Sequence, residues 1–477
     1  MKNSHFRRLL TVTAAVICLC GCRNTRSPVV PVDTAHAERN GGDIDPAMLK
    51  AYSAYITGSS ERDKKTEELI REVISSHIEL FDLKFELAQN DKSYGTETDV
   101  IMEGLKDPWP EVILHILGKI QSMPKDKAGQ IIPSLHSILV NQGQPDNVKI
   151  ETISTLGNIC PANSEDTLAI LAEFIKNPAV EMRKAAVEAI GQIGGKNLLI
   201  TALSDKNSDI QQIAVRKLGG LKDKTAAEHL IYLYNRTYTP KLKQDILVAL
   251  ADIGETEKTA PFLLGIINTS SDWEQLWFAI DTLGKIATPS DEICDALSKT
   301  FRHPNTEVRL ITVKTFGSIR ICRAVPLLTE AYSRETDQRL KDACVSSLQT
   351  ICKYLIEKTE WKSALETITE FRKIRPDDQS ALKDAALCLY KTGEYDPAME
   401  KIRQVINVAE KNTPLWLDSH ILQIEIMRAK KNFKAAINEI DRLLKANSLP
   451  EDFKKKLLGL KDTVEAETAN EKTENRR

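Results

Sequence analysis

One amphipathic pattern returns along the middle of this chain, from about residue 109 to residue 351, and such a recurrence can bury its apolar faces only by stacking unit on unit. Its clearest copy spans residues 178–194, PAVEMRKAAVEAIGQIG. Wound as a helix, Met182, Ala185, Ala186, Ala189, Ile190 and Ile193 share one broad stripe, with Glu181, Lys184, Glu188 and Gln192 largely opposite. The stripe carries alanine where an isolated amphipathic helix would carry leucine. Another helix must therefore approach this one closely.

The small residue after the last large apolar pair marks the register: Gly118, Gly157, Gly191, Gly219, Ala251, Gly284 and Gly317, with Gln349 closing the series. Nine residues ahead of it most copies place an aliphatic residue and then a basic or amide one, as in Met182 with Arg183, Ile210 with Gln211 and Val308 with Arg309. The pattern resembles the HEAT-like repeat family, including its bacterial branch related to phycobilisome-lyase repeats. PAVEMRKAAVEAIGQIG and PNTEVRLITVKTFGSIR fit that family's unit; the copy at 109–118 has Pro110 in the basic place, and the copy at 273–284 lacks the aliphatic-basic pair. The resemblance covers about half the chain and implies stacked helix pairs that bind other proteins.

Residues 1–22 read MKNSHFRRLLTVTAAVICLCGC, a basic opening and then an apolar run too short to span a bilayer, which is the pattern of an export signal. Its end, LCGC over 19–22, resembles the bacterial lipoprotein box. That resemblance implies a signal peptide over 1–21, cleavage after Gly21 and a lipid on Cys22; a plain secretory signal and an uncleaved anchor helix are the alternatives. The two or three acyl chains expected there hold a protein firmly to its membrane. Arg23 rather than Asp after the cysteine implies, by the same resemblance, a place in the bacterial cell envelope, on the outer membrane facing the periplasm if the host is Gram-negative.

Proline, glycine and mixed charge make 22–58 a flexible tether. A capping helix region is expected over 59–97, with Ile70, Ile74, Ile78, Phe81, Phe85 and Ala88 on one stripe, and the HEAT-like array over 98–352. Second apolar helices are predicted between the marker helices, near 131–140, 166–175, 197–203, 224–235, 258–267, 291–301 and 323–332. In the HEAT-like family such helices usually line a groove, which makes Glu228, His229, Tyr232 and Lys299 the candidate groove contacts.

After Gln349 the period continues with different residues. Trp361 with Ala364, Tyr395 with Ala398 and Phe433 with Ala436 each open a helix. The middle copy, ALKDAALCLYKTGEYDPAMEKI, resembles the tetratricopeptide repeat (TPR), with Ala386, Gly393, Tyr395 and Ala398 in its small, turn and aromatic places. The third copy has Ile424 for the small residue and no turn glycine. TPR-like repeats are thus expected over 343–460, sharing a junction helix with the first array, followed by a disordered charged tail over 461–477. The fold class is all-α: an alpha-alpha superhelix, a HEAT-like solenoid continuing into TPR-like helix pairs.

Cys18 and Cys20 leave with the signal, while Cys160, Cys294, Cys322, Cys344, Cys352 and Cys388 lie on or beside apolar stripes and read as core residues. A bridge such as Cys322 to Cys344 is open in an oxidising compartment. The histidines show no metal-ligand spacing, and His303 reads as a helix-start residue. The segment GQIGGKN over 191–197 has the wrong glycine spacing for a phosphate loop and Asn197 where Ser or Thr must bind magnesium. A formal charge of −2, falling to −5 once Lys2, Arg7 and Arg8 leave with residues 1–21, argues against nucleic acid as a partner. No catalytic, metal or cofactor-binding residues are expected. The function expected is that of a membrane-anchored, non-enzymatic scaffold or adaptor with protein or peptide partners. A lyase-related or other enzyme with a groove site, and a subunit of an envelope assembly or secretion complex, are the alternatives.

Overall fold

The computed structural model describes residues 64–474, apart from 92, 94 and 446–448. The expected export signal, Cys22 and the expected tether over 22–58 lie outside the described residues. Among those residues the chain is helical, without strands, as the patterning predicts. It forms two compact units, one up to Asp245 and one from Ile246.

In the first unit α1 (Lys64–Asn90) packs on α2 (Glu97–Gly104) and α3 (Pro110–Gln121). Buried Ile70, Val73, Phe81 and Ala88 face that contact, and two polar pairs fix it: His77 Nδ1 stands 2.8 Å from Asp107 and His115 Nε2 3.0 Å from Asp82. There follow α4 (Ile132–Val140), α5 (Asp146–Ile159), α6 (Glu165–Phe174), α7 (Val180–Ile193), α8 (Lys196–Ala202), α9 (Ser208–Leu221) and α10 (Ala227–Arg236). The divide between the units falls inside α11 (Pro240–Ile253). The marker helices stack in one layer, α3 on α5, α5 on α7 and α7 on α9, while α4, α6, α8 and α10 take the places predicted for the second helices.

Close approach is where the alanine stripe puts it. A Cβ built on Gly157 of α5 would fall 2.8 Å from the Cα of Ala189 on α7. Val187 is buried as well, because α7 is covered on two sides, which the one-sided stripe did not foresee.

The basic residue after the aliphatic one is a clamp. Arg183 Nη1 donates to the carbonyls of Asn177 (2.8 Å) and Pro178 (3.0 Å), and Nε and Nη2 grip Asp205 at 2.8 and 3.1 Å. Arg309 repeats this on the carbonyls of His303 (2.8 Å) and Pro304 (3.0 Å) and on Glu335 at 2.7 and 3.0 Å. Gln211, the amide variant, donates to the carbonyl of Asp205 at 2.9 Å. Each arginine thus satisfies the carbonyls ahead of its own helix and ties the turn that leads into the next marker helix. His303 fits its expected role: its Nδ1 accepts from the Asn305 N–H at 3.1 Å, just ahead of the helix at Thr306.

The second unit continues with α12 (Thr259–Thr269), α13 (Trp273–Ile286), α14 (Asp291–Thr300), α15 (Thr306–Ile319), α16 (Val325–Arg334) and α17 (Gln338–Glu357). Here a hydroxyl ladder joins the marker layer. Thr282 donates to the carbonyl of Leu247 at 3.1 Å, Thr315 to that of Ile280 at 3.3 Å and Ser347 to that of Val313 at 2.9 Å. Sequence reasoning missed this ladder, whose trace is a hydroxyl two residues before the markers Gly284, Gly317 and Gln349.

The junction helix α17 packs on α15 and α16 and also on α18 (Trp361–Ile374). Beyond it run α19 (Gln379–Lys391), α20 (Tyr395–Val408), α21 (Pro414–Ala429), α22 (Phe433–Leu444) and α23 (Glu451–Glu474). Trp361, Tyr395 and Phe433 are the first residues of their helices, and Ala364, Ala398 and Ala436 are wholly buried.

Two residues ahead of each aromatic the backbone turns left-handed, at Thr359 (φ 61°), Gly393 (φ 88°) and Lys431 (φ 58°). Only the middle copy uses the residue for which this conformation carries no strain. A β-branched residue fits it worst. Thr359→Gly should therefore raise stability by about 1 kcal/mol and Gly393→Thr lower it by about 1–2 kcal/mol. Thermal melting of the two variants checks the pair, and a destabilised Thr359→Gly would show that the threonine makes a compensating contact.

The expectation of a disordered tail from 461 is corrected: α23 runs to Glu474. Phe453, Leu457 and Val464 are buried against α21 and α22, Lys461 Nζ reaches Asp441 at 2.8 Å, and Arg428 reaches Glu467 at 3.4 Å. Charge content alone hid an apolar stripe spaced for one helix face.

Candidate functional site

On α10 the apolar residues Ala227, Leu230, Leu233 and Tyr234 turn inward, which leaves Glu228, His229 and Tyr232 exposed together on the opposite side. Lys299 is exposed on α14 of the second unit, where its Nζ donates to Asn268 Oδ1 at 2.8 Å. Three of the four predicted residues thus share a helix face. The fourth belongs to the other unit.

That face is richer than the sequence reading found. Tyr232 is 62% exposed, and Arg236, one turn on, lies with its guanidinium carbon 5.2 Å from the ring centroid and its Nη1 2.5 Å from the phenol oxygen. In the turn leading to α11, Tyr238 is 96% exposed. Lys243 covers the ring of Tyr234 at 4.9 Å. The signal for Arg236 was its spacing of four from Tyr232, which places two side chains on one helical face. Nothing in the letters marks Tyr238 as open, because burial depends on what the neighbouring turn covers.

In the second unit α17, α18 and α19 line a cavity of about 530 Å³ that is open to solvent on one side. Ile356, Ile368, Phe371 and Leu387 give it apolar walls, and Asp384 lines it from α19. Burial pushes the Asp384 carboxyl above the usual carboxylate range, against the opposing pull of Lys383 at 3.3 Å. Burial likewise drives the Cys352 and Cys388 thiols up to about 12, with the charge of Asp384 adding to the shift. Thiols raised this far are held neutral.

The other sequence candidates resolve into packing. Cys160, Cys294, Cys344, Cys352 and Cys388 are buried, whereas Cys322 is exposed, so the core reading is corrected at that position: it lies in the turn before α16. All six are free thiols. In the 191–197 segment Gly194 ends α7 with φ 100°, and Lys196 pairs with Asp223 at 2.7 Å. Hydrogen bonds from Lys196 and Thr225 hold the Asp223 carboxyl down at about 2. Among the described residues, no group of three or more His, Cys, Asp or Glu is placed to hold a metal ion. No described helix is long and apolar enough to cross a membrane.

The family profile of HEAT repeats matches residues 196–277 and 266–349. Residues 196–349 are thus similar to HEAT repeats. The Arg309 clamp and the hydroxyls of Thr282, Thr315 and Ser347 lie within the matched residues. Among solved structures, the chain is similar to YibA of Escherichia coli at 15% identity, over 57% of this chain and 95% of that one, with a TM-score of 0.35. It is also similar to the complex of CpcE and CpcF of phycocyanin lyase from Nostoc, at 17% identity over 51% and 94% with a TM-score of 0.27. Yeast importin-beta (Kap95p) matches at 11% identity over 97% and 67%, with a TM-score of 0.40. Likenesses this distant carry nothing about activity or partners. No curated protein sequence matches the chain.

Proposed function

We propose that this protein is a non-enzymatic scaffold that binds other proteins or peptides through its helical-repeat surface, held to a bacterial envelope membrane by a lipid on Cys22. The observation that carries the binding reading is the open face of α10 and its following turn. Tyrosine and arginine dominate the energetics of protein interfaces, and here Tyr232, Arg236 and Tyr238 stand out of the HEAT-repeat array unburied. The buried thiols argue against a cysteine nucleophile at three positions. A cysteine nucleophile needs its thiolate favoured, whereas burial raises Cys344, Cys352 and Cys388 to about 12.

The remaining parts of the proposal rest on sequence. The lipoprotein box supports acylation of Cys22 and a place on the periplasmic side of an outer membrane, with the 22–58 tether setting reach. The spacing of Trp361, Tyr395 and Phe433 supports tetratricopeptide-type units after α17.

Fractionation and crosslinking test both parts. Cys22→Ser should move the protein from the membrane to the soluble fraction, and retention at the wild-type level would overturn the anchor. The combined variant Tyr232→Ala, Arg236→Ala and Tyr238→Ala should lower crosslinked partner yield at least tenfold in membranes while melting like the wild type. An undiminished yield would remove α10 from the binding surface.

A further inference from the structure

We propose that the cavity between α17, α18 and α19 receives the guanidinium or ammonium end of an arginine or lysine side chain, carried by an extended segment of a partner protein, with Asp384 as its counter-ion. The inference rests on the protein-binding reading above and adds the chemistry of what is bound.

Shape comes first. At about 530 Å³ the cavity has the size of a ligand site, and its apolar walls, Ile356, Ile368, Phe371 and Leu387, suit the methylene stem of a long cationic side chain. Charge decides what the tip must be. Asp384 is a carboxylate set among apolar groups, and the cation beside it, Lys383, is its sequence neighbour at 3.3 Å. Asp378 adds a second negative charge nearby while capping α19, its Oδ1 accepting from the Ala381 N–H at 2.9 Å. Lys353 is mostly in solvent and stands 4.0 Å from Glu357. The Cys352 and Cys388 thiols, held neutral, supply no charge. Three carboxylates, Glu357, Asp378 and Asp384, thus outnumber the two lysines of the lining. A partly desolvated carboxylate in this position gains from a further cation, and guanidinium offers it two parallel N–H donors.

Three nine-residue peptides, identical except for arginine, norleucine or glutamate at the centre, test this by fluorescence anisotropy against the full-length protein in detergent. The arginine peptide should bind at least tenfold more tightly than the norleucine peptide, with glutamate weakest. Asp384→Asn should abolish that preference, and Lys383→Ala, which removes the competing cation, should widen it at least threefold. Equal binding of arginine and norleucine overturns the proposal, as does a preference that survives in an Asp384→Asn variant with a wild-type melt. Should Asp384→Asn fail to fold, a preference unchanged or reduced in Lys383→Ala overturns it. If no peptide binds while partners still crosslink through α10, the cavity inference falls and the scaffold reading stands. Failure of both takes the scaffold reading with it.

Discussion

Arg183→Ala should destabilise the first unit by on the order of 3 kcal/mol at neutral pH, because it breaks a largely buried ion pair and leaves one partner behind. The two side chains are only 14% and 10% exposed, so solvent screens the pair weakly. Two loop carbonyls, those of Asn177 and Pro178, lose their donor in the same step. Burial pushes the Asp205 carboxyl up, but the hydrogen bonds from Arg183 and the backbone N–H of Asn207 outweigh it, and the folded pKa lies below the ordinary value. A depressed carboxylate contributes stability in full above its unfolded pKa and loses it as pH falls through the folded one. The gap between wild type and variant should therefore be widest above about pH 5 and should close as the pH falls below about 4. Hydrogen exchange at the α7 and α9 amides at pH 7 and pH 3.5 reads both, after correction for the intrinsic exchange rate. A loss under about 1 kcal/mol at pH 7, or a gap that grows on acidification, would sink the account.

The same arginine shows how much of the architecture the letters carry. An aliphatic residue followed by a cation or amide, nine places ahead of a small residue, was enough to place most of the marker helices, since the spacing reports which faces are buried. The clamp itself was not legible, because Asp205 and Glu335 become partners only once the next helix pair has folded beside them. The hydroxyl ladder escaped for a related reason. Thr282, Thr315 and Ser347 look like ordinary helix residues until the neighbouring helix brings a carbonyl within reach. The candidate site follows the same rule more severely. Tyr232 could be read as outward from the phase of its helix, while Tyr238 sits in a turn that has no phase, and Asp384 meets its cavity only through residues on α17 and α18. Periodicity reports a residue's own element; exposure and partnership belong to the neighbour.

Glycine at the marker position separates these two kinds of information in one experiment. Gly317→Ala should cost about 2–4 kcal/mol: a Cβ there would fall 2.8 Å from the Cα of Ser347 and 2.7 Å from its Cβ, so α17 must move off α15. That movement also stretches the hydrogen bond from Ser347 to the Val313 carbonyl, adding the loss of a buried bond to the overpacking. Gly118 holds the same register position in α3, yet a Cβ there meets nothing within 4 Å. Gly118→Ala should accordingly stabilise by about 0.5–1 kcal/mol, the helix preference of alanine acting unopposed. Chemical denaturation of both variants measures the difference. Opposite signs for one substitution at equivalent places in the repeat can arise only if packing between helices, rather than the helix's own preference, sets what the marker residue must be. Equal signs would mean that the close approach at Ser347 does not decide the effect of the substitution.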